Sequence, residues 1–268
     1  MRWQRELNVL VQAVRAGGAE ALRIAAAGFD TTHKSDQSPV TSADLAVNQI
    51  LHTSLRCAFP EDGWLSEESP DDDNRLQRAR VWVVDPIDGT KAFINGEPEF
   101  CISVALIEQG RPIVAAIFNP SVDELYTATR GGGLYLNNKL VTPPVIDGDL
   151  HPVVALSPWE QQMGRFPSLD GMVTRHPMRS IAWALALIAG GRLQGFATLE
   201  PENEWDVAAG TLLIEESGGH ICDGAGYALS FNKTAPRYQG TIAISASCPD
   251  SLRQKLMLLT RTSLHGIE

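Results

Sequence analysis

The stretch Val81-Trp82-Val83-Val84-Asp85-Pro86-Ile87-Asp88-Gly89-Thr90 constrains this chain more than any other. Its first four residues are an apolar run suited to a strand buried on both faces. Asp-Pro and Asp-Gly then break the run, so the carboxylates of Asp85 and Asp88 stand together where the strand ends. Gly89 takes backbone angles that other residues avoid and leaves room for a ligand near its N–H. Two aspartates three apart on a tight turn repel each other unless a cation sits between them. A D-x-x-D-G turn is also what a solvated strand end looks like, so the rest of the chain must decide between the two.

Other carboxylates stand at comparable places. Thr41 or Ser42 is a natural N-cap for a helix carrying Val47, Ile50, Leu51 and Leu55. Asp44 falls in its first turn, where the helix dipole favours negative charge. Glu67 and Glu68 follow the short apolar pair Trp64-Leu65, a setting in which glutamates usually face solvent. Trp205-Asp206-Val207-Ala208-Ala209-Gly210 starts a helix that ends at Gly218-Gly219, which makes Asp206 a capping residue on the simplest view. Jointly, Glu67, Asp85, Asp88 and Asp206 all sit at strand ends, turns or helix starts, where active sites are built.

Oxygen ligands with no matching histidine or cysteine set point to a hard cation, magnesium first and manganese second. The chain has no H-E-x-x-H zinc signature, no EF-hand spacing and no G-x-S-x-G serine nucleophile. Gly131-Gly132-Gly133 lacks the Gly-Lys-Ser/Thr ending of a phosphate-cradling loop. Asp71-Asp72-Asp73 reads as a solvated loop without chemistry. A structural calcium-binding module would gather carboxylates at turns in the same way, but would release no phosphate.

A net charge of −10 over 268 residues argues against a nucleic-acid polymer or an anionic membrane surface as partner. That length suits one large domain or two halves sharing a core. The turn-rich segment 142–148, with Pro143-Pro144, is the natural junction, dividing residues 1–147, which hold most of the candidate ligands, from 148–268. Cys57, Cys101, Cys222 and Cys248 are widely separated, which suggests free thiols and a reducing compartment. With no signal peptide and no apolar run of transmembrane length, a cytoplasmic protein is expected.

In chain order, Leu7, Leu10, Val11 and Val14 mark an amphipathic first helix, which Gly17-Gly18 is expected to weaken or bend. Lys34 to Asp44 reads as a surface loop. Cys101 to Ile107, Pro112 to Phe118 and Glu124 to Thr129 read as an antiparallel meander. Val153 to Leu156, Phe196 to Leu199 and Thr241 to Ser245 read as further strands. Ile181 to Ile188 and Pro249 to Leu259 read as helices.

Four blocks together resemble the inositol monophosphatase superfamily of magnesium-dependent, lithium-sensitive phosphatases: Ser38-Pro39-Val40-Thr41 with Asp44, Leu65-Ser66-Glu67-Glu68, Asp85 to Thr90, and Trp205 to Gly210. They occur in the family's order and span most of the chain. The resemblance implies an α/β layered αβαβα sandwich, usually dimeric, that hydrolyses a small phosphorylated metabolite with a metal-activated water. It implies two or three magnesium ions, for which manganese can substitute. Glu67, Asp85 and the carbonyl of Ile87 would hold the first; Asp85, Asp88 and Asp206 would hold the second. Asp44 and Thr90 would orient and help deprotonate the attacking water, with Glu68 supporting. The backbone of Gly89 and Thr90 would cradle phosphate oxygens, placing the substrate against Glu67, Ile87, Asp88 and Asp206. A catalytically silent regulatory homologue would be expected to have lost a metal ligand, and this chain has not.

Within the superfamily, Lys34 to Thr41, the Ser-Glu-Glu block and Lys91-Ala92-Phe93-Ile94 resemble the 3′(2′),5′-bisphosphate nucleotidase branch, which implies hydrolysis of adenosine 3′,5′-bisphosphate to AMP and phosphate. Inositol monophosphatases proper typically continue Gly-Thr with Thr-Asn-Phe. Histidinol-phosphatase relatives share Lys-x-Phe-Ile but usually carry Gly-Glu-Glu. One departure is Ser180-Ile181-Ala182-Trp183-Ala184, where nucleotidases commonly have Gly-Ser-Ser and a lysine. Trp183 and Arg179 are candidates for a base-stacking face and a 5′-phosphate contact; core and surface positions are the alternatives.

Overall fold

A computed structural model describes residues 2–34, 37–142 and 151–262. The junction expected at 142–148 lies, from residue 143 on, outside the described residues, as do Ser35 and Asp36.

Two long helices open the chain, α1 (Gln4–Ala27) and α2 (Ser42–Ala58), joined through a hairpin of β1 (Thr31–His33) and β2 (Pro39–Thr41). They pack on one face of a seven-stranded sheet in strict chain order: β3 (Gly63–Ser66), β4 (Arg80–Asp88), β5 (Cys101–Glu108), β6 (Arg111–Asn119), β7 (Glu124–Thr129), β8 (Gly133–Leu136) and β9 (Lys139–Leu140). Only β3 and β4 run parallel; the rest is the expected meander, two strands longer. The short helix α3 (Thr90–Ile94) follows β4 directly.

Strand alternation explains the apolar run in β4. Trp82 and Val84 enter the core shared with α1 and α2, while Val81 and Val83 enter a second core on the opposite face. That second core holds α5 (Ile181–Ala189) and α6 (Glu204–Glu216) between the first sheet and a second one. Its strands are β10 (Val153–Leu156), β11 (Thr174–Pro177), β12 (Gly195–Asn203), β13 (His220–Asp223) and β14 (Arg237–Ile244), in the order β11-β10-β12-β14-β13. The short helix α4 (Pro158–Gln162) joins β10 to the segment before β11. Helix α7 (Asp250–Thr262) closes the far face through Leu252 and Leu256, against Val154 and Ile244. The layers therefore read α, β, α, β, α.

Two expectations need correction. Helix α1 is continuous through Gly17-Gly18. A Cβ at Gly18 would meet the Phe118 ring at 2.4 Å, and one at Gly17 would meet Val47 at 3.1 Å. These glycines let α1 lie directly on the sheet and on α2 rather than breaking it. Asp71 and Asp72 are also more than solvated loop. Asp71 pairs with the buried Arg75 at 2.6 Å, and Asp72 caps the 3-10 turn Asp73–Gln77.

Candidate metal-binding active site

The site forms where β4 ends, between the starts of α2, α5 and α6. Residues three apart on a regular strand face opposite sides. Asp85 pairs with Ser103 and Asp88 with Cys101, so β4 carries one extra residue between them. This bulge turns both carboxylates to the same side. Gly89 follows at φ 91°, and a Cβ there would lie 2.8 Å from the Glu99 carbonyl oxygen. Only glycine fits that turn without strain.

Two helix starts present carboxylates in the same manner. Thr41 caps α2, and its N–H donates to Asp44 Oδ2 at 2.8 Å. The other oxygen, Oδ1, lies 3.1 Å from Thr90 Oγ1, which is equally close to the Ile87 carbonyl. At α6, the N–H of Asn203 donates to Asp206 Oδ2 at 2.7 Å. Each capping box thus holds one oxygen of its aspartate and leaves the other for the site.

Ligand oxygens of Asp85, Asp88 and Asp206 lie within 4.8 Å of one another. Burial, and then neighbouring carboxylates, push the Asp85 carboxyl well above its usual range. Burial pushes Asp88 up to about 7, although Ser180 Oγ at 2.7 Å and the Ala182 N–H at 2.6 Å both donate to its Oδ2. Burial and the Asp88 charge push Asp206 well up too. Asp85 Oδ1 is buried with no hydrogen-bond partner. An orphaned carboxylate oxygen facing other carboxylates is costly unless a cation joins them. The donor set, all oxygen, fits magnesium.

Glu67 and Glu68 approach from the end of β3, and Lys34 reaches both, at 2.7 and 2.5 Å. Burial works against the Lys34 charge, but the two glutamates outweigh it and raise the ammonium's pKa. Burial lifts Glu68 to about 7, and Glu67 adds repulsion on Asp85, Asp88 and Asp206.

The sequence reading missed Lys34 as a bridging cation, Ser180 as a support for Asp88, and Glu202. Burial, with Asp206 and Asp88 nearby, raises the Glu202 carboxyl to about 9, so it belongs to the same electrostatic cluster. A register irregularity between Thr198 and Pro201 of β12 precedes it. The run Glu200-Pro201-Glu202-Asn203-Glu204 was the available signal, but not which glutamate faces the site. Of the two nucleotide-contact candidates, Trp183 lies in the core, edge-on to Tyr126 at 5.9 Å, whereas Arg179 stays at the surface in a loose ion pair with Glu97 at 3.4 Å.

The inositol monophosphatase family profile matches residues 2–261. The chain belongs to that family. Its members are metal-dependent phosphomonoesterases acting on small phosphorylated substrates, and the acidic cluster described above can hold a metal. The chain is 37% identical over 232 residues to an inositol-1-monophosphatase of Rhizobium meliloti, covering 82% of this chain and 86% of that one. It is 33% identical over 215 residues to the 3′(2′),5′-bisphosphate nucleotidase CysQ of Escherichia coli K12, covering 76% and 83%. Among solved structures, extragenic suppressor protein suhB from Bartonella henselae superposes with a TM-score of 0.79 at 29% identity, over 97% of this chain and 98% of that one. No helix among the described residues is long and apolar enough to cross a membrane.

Proposed function

We propose that this family member is a magnesium-dependent phosphomonoesterase whose ions are held by Glu67, Asp85, Asp88, Asp206 and the Ile87 carbonyl. The observation that carries this reading is the buried, partnerless Oδ1 of Asp85, a carboxylate clustered within 4.8 Å of those of Asp88 and Asp206. Magnesium there supplies Lewis-acid charge to the ester and lowers the pKa of a bound water. The chain's own residues do the rest. Thr90 Oγ1 accepts a proton from the attacking water as its own proton passes to Asp44 Oδ1, 3.1 Å away. Burial raises the Asp44 carboxyl and makes it the stronger base for that step. First-turn amides of a helix have no intrahelical partner, so the Gly89 and Thr90 N–H groups suit phosphate oxygens. No side-chain nucleophile is needed, because positioning and charge carry phosphoryl transfer.

For the ester itself, the reading is a 3′(2′),5′-bisphosphate nucleotide, supported by Lys91-Ala92-Phe93-Ile94 and by the CysQ relatives. With Trp183 in the core, the base must be met elsewhere. Glu202 favours a second reading, because a carboxylate beside the cluster repels a second phosphate and suits hydroxyl or ammonium groups. Inositol 1-phosphate and histidinol phosphate carry such groups. The test compares kcat/KM on adenosine 3′,5′-bisphosphate, inositol 1-phosphate and histidinol phosphate. The bisphosphate is expected to lead; a tenfold advantage for either other ester, about 1.4 kcal/mol, would transfer the assignment to it. Magnesium dependence, lithium inhibition and a homodimer are expected to accompany any of the three.

A further inference from the structure

A separate cavity of about 280 Å³ opens between the end of α2, the start of β3 and the segment after Glu68. Its wall includes His52, Arg56, Trp64, Ser69, Arg75 and Arg78, and its single carboxylate is Asp72. None of the metal-site carboxylates lines it. Three guanidinium groups, those of Arg56, Arg75 and Arg78, share its wall.

The three arginines differ in how far they are committed. Arg75 is spent, with two nitrogens on Asp71 and a third on Asn232 Oδ1 at 2.6 Å. Arg78 makes only a loose pair with Glu61, at 3.5 Å, and the Glu61 side chain is 90% exposed. Half-buried Arg56 donates to the Asp62 backbone carbonyl. The Asp62 carboxylate is taken by Arg80 and by the Trp82 indole N–H. Arg56 has no ion pair among the described residues, and it shares the cavity wall with Arg78. A half-buried cation so placed is stabilised by an anion, and a guanidinium fork matches phosphate oxygens best.

The cavity also touches the active site's frame. Ser69 Oγ receives the Trp64 indole N–H at 3.2 Å and the Asn48 amide at 3.0 Å. Asn48 also donates to the Glu68 carbonyl at 3.2 Å and accepts from Ser66 Oγ at 2.8 Å. One hydrogen-bond network therefore joins the cavity wall to the turn carrying Glu67 and Glu68.

We propose that this cavity is a second ligand site, which binds a phosphate group between Arg56 and Arg78 with Trp64 as its apolar wall. The group arrives as free phosphate or on a small phosphorylated molecule, and its occupancy is felt at Glu68 through Asn48 and Ser69. The test titrates inorganic phosphate, and separately AMP, into the magnesium-loaded full chain and follows backbone amide NMR shifts. The expected result is saturable movement at His52, Ser69, Glu68 and Arg78, distinct from movement at Gly89 and Thr90, which reports the metal site. Arg56→Ala and Arg78→Ala should each weaken the first set about tenfold and leave the second in place, which also shows that the variants are folded. Stronger binding of AMP than of phosphate would identify a phosphorylated molecule as the occupant; equal binding would identify free phosphate. Shifts confined to Gly89 and Thr90, or His52 and Arg78 shifts that survive both substitutions, would overturn the proposal.

Discussion

Asp85 holds one carboxylate oxygen in the interior with no donor to meet it, and its neighbours are Asp88 and Asp206. Asp85→Asn is isosteric and removes a charge that only a cation can offset. Turnover is expected to fall on the order of a thousandfold, about 4 kcal/mol of transition-state stabilisation. In magnesium-free buffer at pH 8 the same variant should be more stable than the parent, by about 1 kcal/mol, since repulsion is relieved. Urea unfolding and steady-state rates on one preparation check both signs; a folded variant with near-parental turnover would remove Asp85 from the proposed chemistry. Trp183→Ala should cost about 3–5 kcal/mol of stability as a core truncation, while kcat/KM ratios among phosphate esters stay unchanged in the fraction that remains folded. At this scale the sequence was readable wherever a carboxylate stood at a local break in structure: Asp44 and Asp206 at helix starts, Asp85 and Asp88 at a strand end. It was unreadable where partnership is long-range. Lys34 meets Glu67 across 33 residues, and Ser180 meets Asp88 across 92.

Among elements, the closest approach in the central layer is that of α5 to α6. A Cβ on Gly210 would fall 2.4 Å from Leu185 Cδ1 and 2.5 Å from its Cβ, so the two helices touch through the missing side chain. Gly210→Ala should destabilise by about 1–3 kcal/mol despite alanine's better helix propensity. Chemical denaturation measures this; a stabilised Gly210→Ala protein would mean that α5 can move away freely. The heptapeptide-scale pattern of α1 was legible, but its glycines were not, because their reason is Phe118 on β6 and Val47 on α2. Strands β4 to β7 were legible from apolar runs punctuated by turns. The short strands β8, β9, β11 and β13 were not, since their pairing partners define them more than their residues do.

For the whole molecule, the carboxylate cluster ties folding to pH and to the cation. Glu68 and Asp88 both rise to about 7 from ordinary carboxylate values, and Glu202 rises to about 9. A raised carboxyl favours the folded state below its unfolded value, and that contribution is lost as pH climbs through the folded one. Without magnesium, the thermal midpoint is therefore expected to decline from about pH 5 to about pH 9. Magnesium at about a hundred times its Kd should restore about 2.7 kcal/mol at pH 8 and far less at pH 5. Calorimetry with and without chelator decides, and a chelated midpoint that rises across the window would contradict the reading. The five-layer order itself was anticipated by family likeness rather than by periodicity, which shows that a strand is buried on both faces but not what covers each. The bulge in β4 has a further consequence, for which changes in chain length the fold can absorb. Adding or removing one residue between Asp85 and Asp88 would turn one carboxylate to the opposite face of the sheet. Asp206 arrives on a separate helix, so insertions in the surface loops between β4 and α6 leave its aim intact. Length variation in this scaffold is thus confined by geometry to the stretches between the ligands and excluded from the four residues that carry two of them.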